Sequence, residues 1–189
     1  MDKFFKMVFQ FTSLSEDSKQ AFSTILKKLE LPKGRTLIRA NTICENAYFI
    51  EQGLARTYYY KKGKDVTDWL AAENSFVVSI VSFLTQQPDR RIVELLEPSL
   101  LWAIPYKKLE DLYNRYHEIE RFGRLLVSHG LVLVQQRFDD LHFASALERY
   151  KKMLQQNPSF IERVPLSMIA SYLGISQETL SRIRSKISF

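Results

Sequence analysis

The sequence predicts a mixed α+β protein: an N-terminal antiparallel β-roll or jelly roll, a long helix, and a C-terminal helix-turn-helix. Three observations predict it. From Thr36 to Pro105, short apolar runs alternate with turn signals, the texture of a roll of short strands. From His117 to about Leu141 the chain reads as a long helix that is apolar on nearly every side. From Leu166 to Ser185, small, glycine and apolar residues fall where two crossing helices must share a core.

A first helix is expected where Ser15 can cap and Glu16 and Asp17 occupy the first turn. Ala21, Phe22, Ile25, Leu26 and Leu29 give it an apolar face, and Pro32 and Gly34 end it. The strand runs that follow are TLIRA, AYFIEQ, LARTYYY, VTDWLA, RIVELLE and LLWAIP. Lys61 to Lys64, with Gly63, reads as a hairpin turn between two of them. Phe76 to Leu84 can hold a short helical turn inside the roll, and TQQPDRR reads as a loop. Beyond Pro105 the chain becomes helical: Lys107 to Tyr116, then His117 to about Leu141, then Ala144 to Gln155, closed by Asn157-Pro158.

The segment LLVSHGLVLV requires burial on more than one face. The simplest arrangement packs one face on the roll and the other on a second copy of the same helix. Ile119, Phe122, Gly123, Leu126, Gly130 and Leu133 are the candidate dimer residues. Gly123 and Gly130 would permit close backbone approach, the alternative being that they only weaken the helix.

The 189 residues suffice for one medium domain and a small one. With 46% hydrophobic and 25% charged residues the chain is expected to be folded rather than disordered. No apolar run reaches the roughly 18 residues of a membrane span, and MDKFFKMVFQF lacks the layout of a secretion signal. The single Cys44 excludes an internal disulfide and any multi-cysteine metal or iron–sulfur site within one chain. A cytoplasmic protein without membrane partner, metal or cofactor is expected. The net charge of +6 is unevenly placed: the last 41 residues carry +5, from seven basic and two acidic side chains. Such an excess on a small segment suits a polyanion partner.

Within the last unit, Ile169, Leu173, Leu180 and Ile183 supply a shared core, and Ala170 is small at the crossing. Gly174 stands where the turn needs a left-handed residue, Ile175 plugs the turn, Ser176 caps the second helix, and Pro165 begins the first. The exposed side of the second helix carries Gln177, Glu178, Thr179, Ser181, Arg182 and Lys186. Arginine pairs bidentately with guanine, glutamine with adenine, and glutamate accepts from cytosine N4, while hydroxyls and lysine suit the backbone.

The series GISQETLSRI, preceded by IASYL and by ERYKKMLQQNP, resembles the C-terminal domain of Crp/Fnr regulators, closest to the divergent group common in Bacteroidetes. AYFIEQGLARTYY resembles that family's central strand pair with Gly53 at its turn, and LLWAIPYKKLEDL its last roll strand and helical linker. The resemblance covers nearly the whole chain. It implies a cyclic-nucleotide-binding-like roll with flanking helices over 1–116, a dimerisation helix over 117–141 and a helix-turn-helix DNA-binding domain over 142–189.

The implied partners are double-stranded DNA and a second copy, with RNA polymerase and an unidentified small-molecule effector as further ones. Base contacts fall on Gln177, Glu178 and Arg182, and phosphate contacts on Ser167, Ser176, Thr179, Ser181 and Lys186. A dimer would set its two helices 177–187 about one DNA turn apart on a roughly palindromic site. In family members that bind cyclic nucleotides, a Gly-Glu pair takes the ribose and an Arg-Ser or Arg-Thr pair takes the phosphate. Here those positions fall on Val78-Ser79 and near Asp89-Arg90, so cyclic AMP is not expected as the ligand. Val78, Ser79, Arg90 and Arg91 remain the candidate effector pocket. The second helix runs almost to Phe189, leaving no room for the family's usual β-wing.

An enzyme is disfavoured because residues 36–105 contain no histidine for a metal site or a general base. His117, His129 and His142 all fall on expected helices. The competing non-enzymatic reading is a ligand-binding or dimerisation module whose helix-turn-helix serves protein contacts.

Overall fold

A computed structural model describes residues 1–186. Eight strands form two four-stranded antiparallel sheets in the orders β1-β8-β3-β6 and β2-β7-β4-β5. The first holds β1 (Lys27–Leu31), β8 (Ser99–Pro105), β3 (Asn46–Gln52) and β6 (Ser75–Val77). The second holds β2 (Thr36–Ile38), β7 (Ile92–Leu95), β4 (Ala55–Lys61) and β5 (Lys64–Ala71). The α+β class and the roll stand as expected. β3 and β4 do not pair with each other, however: the chain crosses from one sheet to the other at Gly53-Leu54. Lys62 and Gly63, at φ 52° and 76°, make the two-residue β4–β5 turn, whose positive dihedrals match the strand twist.

The N-terminal helix α2 (Glu16–Ile25) is capped by Ser15, whose Oγ accepts from the Ser18 N–H, but it ends sooner than the apolar spacing suggests. Leu26 is already extended, and Leu29 lies in β1, paired with Leu101 of β8. Ahead of it stands α1 (Asp2–Val8), which no sequence signal marked. Its Phe4 is wholly buried and meets Phe22 and Phe49 edge-on at 5.2 and 5.5 Å. Between β6 and β7 lies α3 (Ile80–Thr85), the expected helical turn.

After the roll come α4 (Tyr106–Tyr113), the 27-residue α5 (His117–Phe143), α6 (Ala146–Gln156), a single turn α7 (Phe160–Arg163), α8 (Leu166–Tyr172) and α9 (Gln177–Lys186). Ser145 and Glu148 close a capping box at the start of α6. Ile119 and Phe122 of α5 are buried in the roll's core, where Phe122 meets Phe11 and Phe22 at 6.0 Å. A Cβ on Gly123 would stand 2.2 Å from the Tyr113 hydroxyl. These three residues of the expected dimer set therefore pack inward within the chain. Leu126 is partly buried against the same core. Gly130 and Leu133 are half-buried, and nothing stands within 4 Å of a Cβ built on Gly130.

A second apolar cluster joins the C-terminal helices to the outer face of the β2-β7-β4-β5 sheet. Leu54, Leu70 and Leu96 meet Ile169, Ala170, Leu173, Phe160, Val164 and Leu180 there. Beside it, Arg163 is clamped between two carboxylates: Nη2 lies 2.8 Å from Glu73 Oε1 and 2.6 Å from Glu97 Oε1. Glu73 also accepts from the Gly53 N–H at 2.9 Å, which ties the strand crossover to the C-terminal unit.

Candidate nucleic-acid interface and effector pocket

The turn between α8 and α9 follows from its residues. Gly174 takes φ +66°, the Ile175 N–H donates to the Ala170 carbonyl at 3.0 Å and the Gly174 N–H to that of Ser171 at 3.0 Å. This pair of bonds is the Schellman closure of α8 and lets the chain reverse at once. Ser176 caps α9, its Oγ accepting from the Thr179 N–H at 3.2 Å. Two arginines close the C-terminal end of α8 from outside. Arg137 Nη2 donates to the Tyr172 carbonyl at 2.7 Å with its guanidinium 3.9 Å over the Tyr172 ring, and Arg149 Nε donates to the Leu173 carbonyl at 2.9 Å.

With Leu180 buried, α9 turns Gln177, Glu178, Ser181, Arg182, Ser185 and Lys186 outward, and Ser167 is exposed at the start of α8. Thr179 is half-buried, and Ser176 is exposed while engaged as the cap. Leu166, Gln177, Ser181 and Arg184 border a groove of about 580 Å³. Hydrogen bonds from Ser176 and from its own amide hold the Glu178 carboxyl below the ordinary glutamate value. Ile187, the last residue of the expected second helix, and the terminal residues 188–189, on which the expectation about a wing rests, lie outside the described residues.

The basic excess of the C-terminal segment is partly internal. Arg149 serves α8, Lys152 pairs with Asp140 at 2.6 Å, and Arg163 is clamped. Arg182 and Lys186 keep exposed charge on α9.

Two of the expected effector residues, Ser79 and Arg91, do converge, but on Asp89. Ser79 is fully buried and donates its hydroxyl to Asp89 Oδ2 at 2.6 Å. Arg91 Nη1 reaches the same oxygen at 3.0 Å, and its Nε donates to Asp68 Oδ2 at 2.7 Å. Arg90 instead lays its guanidinium over the Tyr59 ring, 4.7 Å from the centroid. Val78 is partly buried against the roll's core. Burial raises the Asp89 carboxyl, but the hydrogen bonds from Ser79 and Arg91 more than offset this and leave it below the usual range. Asp68 is a residue that the sequence reading missed. It sits at the irregular step of β5, where the register with β4 shifts, and no motif marked it.

Two sheets closed over an aromatic core, a long helix and a capped helical pair define the architecture: a β-roll followed by a helical C-terminal unit. Residues 28–116 match the model of the cyclic nucleotide-binding domain. No curated protein matches the sequence. Among solved structures the chain is similar to FixK2 from Bradyrhizobium japonicum, at TM-score 0.74 and 16% identity over 86% of this chain and 84% of that one. It is similar to the Thermus thermophilus catabolite activator protein, at 0.59 and 17% over 95% and 85%. It is also similar to CLP from Xanthomonas campestris, described as a c-di-GMP responsive global regulator, at 0.65 and 16% over 91% of each chain. The fold is thus that of the Crp/Fnr transcription regulators. No helix among the described residues is long and apolar enough to cross a membrane.

Proposed function

We propose that this chain is a non-enzymatic, sequence-reading DNA-binding regulator of the Crp/Fnr type, from the divergent branch its helical pair resembles, acting as a homodimer. The observation that carries the reading is the outward face of α9. Gln177, Glu178 and Arg182 are exposed together on a helix whose opposite side is locked by Leu180, next to a turn that lets the helix project. Those side chains would read base edges. Ser167, Ser176, Thr179, Ser181 and Lys186 would face the phosphates, with RNA polymerase a further partner of the bound complex. Residues 1–116 would serve as the sensor, 117–141 as the dimer helix and 142–189 as the DNA-binding unit.

A seam for the dimer runs along α5. Val127, Leu131, Val134, Phe138 and Leu141 are 42%, 68%, 54%, 52% and 40% exposed, and their alternating spacing of four and three is that of a coiled-coil stripe. The seam thus lies beside the inward-facing set that includes Phe122, not on it. Exposed apolar side chains in such a row call for a partner helix, and a second α5 supplies the matching row.

Binding to duplex DNA over a salt titration tests the reading against that of a protein-contact module. A DNA reader loses affinity linearly on a log–log plot, with a slope near −0.9 per phosphate contacted. Absence of duplex binding at low salt favours the protein-contact module.

A further inference from the structure

The donors around Asp89 make an anion seat that the protein fills itself. The buried Ser79 hydroxyl and Arg91 Nη1 meet on Oδ2, at 2.6 and 3.0 Å, and the Arg90 N–H donates to Oδ1 at 2.7 Å. A hydroxyl, a guanidinium and a backbone amide converging on one point are a donor set suited to a phosphate or carboxylate. The loop bearing the carboxylate is itself pinned, since the Asn41 N–H donates to the Asp89 carbonyl at 2.6 Å. Arg91 has no spare charge either, because Asp68 takes its Nε. The single Arg91 guanidinium is shared by two aspartates, while that of Arg90 lies over Tyr59, so an incoming phosphate would meet carboxylates where it needs a free guanidinium.

We propose that Asp89 is the built-in ligand of this seat, so that the roll excludes phosphate-bearing effectors unless the Asp89 carboxylate is displaced. The proposal rests on reading the roll as the sensor of a regulator. The match of residues 28–116 to a cyclic nucleotide-binding domain makes phosphate the group to test. The exclusion follows from this chain's own ion pairs and not from any shortage of donors. Removing the carboxylate should therefore create a binding site rather than merely damage one.

The test uses the full-length protein, with inorganic phosphate and cyclic AMP as probes against chloride at constant ionic strength. Isothermal titration and thermal unfolding are run on wild type, Asp89→Ala and the double variant Asp89→Ala/Arg91→Ala. Wild type is expected to show no saturable phosphate effect. Asp89→Ala, less stable in chloride, should bind phosphate about ten- to a hundredfold more tightly than wild type and recover its Tm as it does so. The double variant should lose that gain. Should Asp89→Ala fail to fold, Asp89→Asn keeps the volume without the charge and is expected to gain phosphate binding more weakly. Wild type binding either probe as tightly as the variants, or no gain in any folded variant, overturns the proposal. DNA takes no part in these measurements, so their failure is separable from failure of the DNA-reading assignment.

Discussion

Thr67 of β5 and Ser171 of α8 join the roll to the helical pair directly: the Thr67 N–H donates to the Ser171 Oγ at 2.9 Å across 104 residues of sequence. The next residue on the strand, Asp68, holds Arg91 of the filled anion seat. Adjacent positions of one strand thus contact the Asp89–Arg91 network and helix α8. A buried amide that loses its acceptor costs the desolvation of that group. Ser171→Ala should therefore lower stability by about 1–2 kcal/mol, read as a shift of the urea midpoint at unchanged slope.

The Arg163 clamp gives a pH-dependent prediction. Burial raises the Glu73 carboxyl, but bonds from Arg163 and the Gly53 N–H outweigh it and leave it lowered. A group depressed in the folded state stabilises the fold above its unfolded value, and the contribution fades as pH falls through the folded one. Wild-type stability should thus decline below about pH 4.5, and Arg163→Ala should decline less steeply. At neutral pH the variant should be about 1–3 kcal/mol less stable, because two partly buried carboxylates lose their cation. Denaturant unfolding at a series of pH values checks both statements.

The exposed row on α5 predicts an oligomer that one charge can break. Leu131 is 68% exposed, so Leu131→Glu should fold as well as wild type while placing a carboxylate in the seam. Sedimentation should show a dimer for wild type and, for the variant, an association at least about a hundredfold weaker, reading as monomer at micromolar concentration. A wild-type monomer would remove α5 as the dimer helix.

Much of the helical pair was legible in the sequence because its signals are local. Gly174 for the positive φ and Ser176 for the cap each act within a few residues. The roll was legible from its alternating texture and the Lys62-Gly63 turn. Of the N-terminal elements, the start of α2 was legible from its Ser15 cap, but α1 and β1 were not. Leu29 keeps a helical spacing after Leu26, yet β8 offers an unpaired edge that a strand satisfies, and no glycine or proline marks the change at Leu26. Which face of α5 turns inward was not legible, because the helix is apolar all round and only contacts with Phe11, Phe22 and Tyr113 decide it. The self-filled seat was half legible: the acid at position 89 stood out, but Asp68 reaches Arg91 only through the register shift of β5.

The central claim is that α9 reads DNA as part of a dimer. It is tested most directly by selecting binding sites from a random duplex pool with wild type and Arg182→Ala in parallel. Wild type should enrich a palindrome with half-sites about one helical turn apart, and the variant should lose preference at one base pair per half-site, worth about 1–3 kcal/mol. Enrichment of no sequence by wild type, or the same palindrome with undiminished preference in Arg182→Ala and in a matching Gln177→Ala variant, would contradict the account.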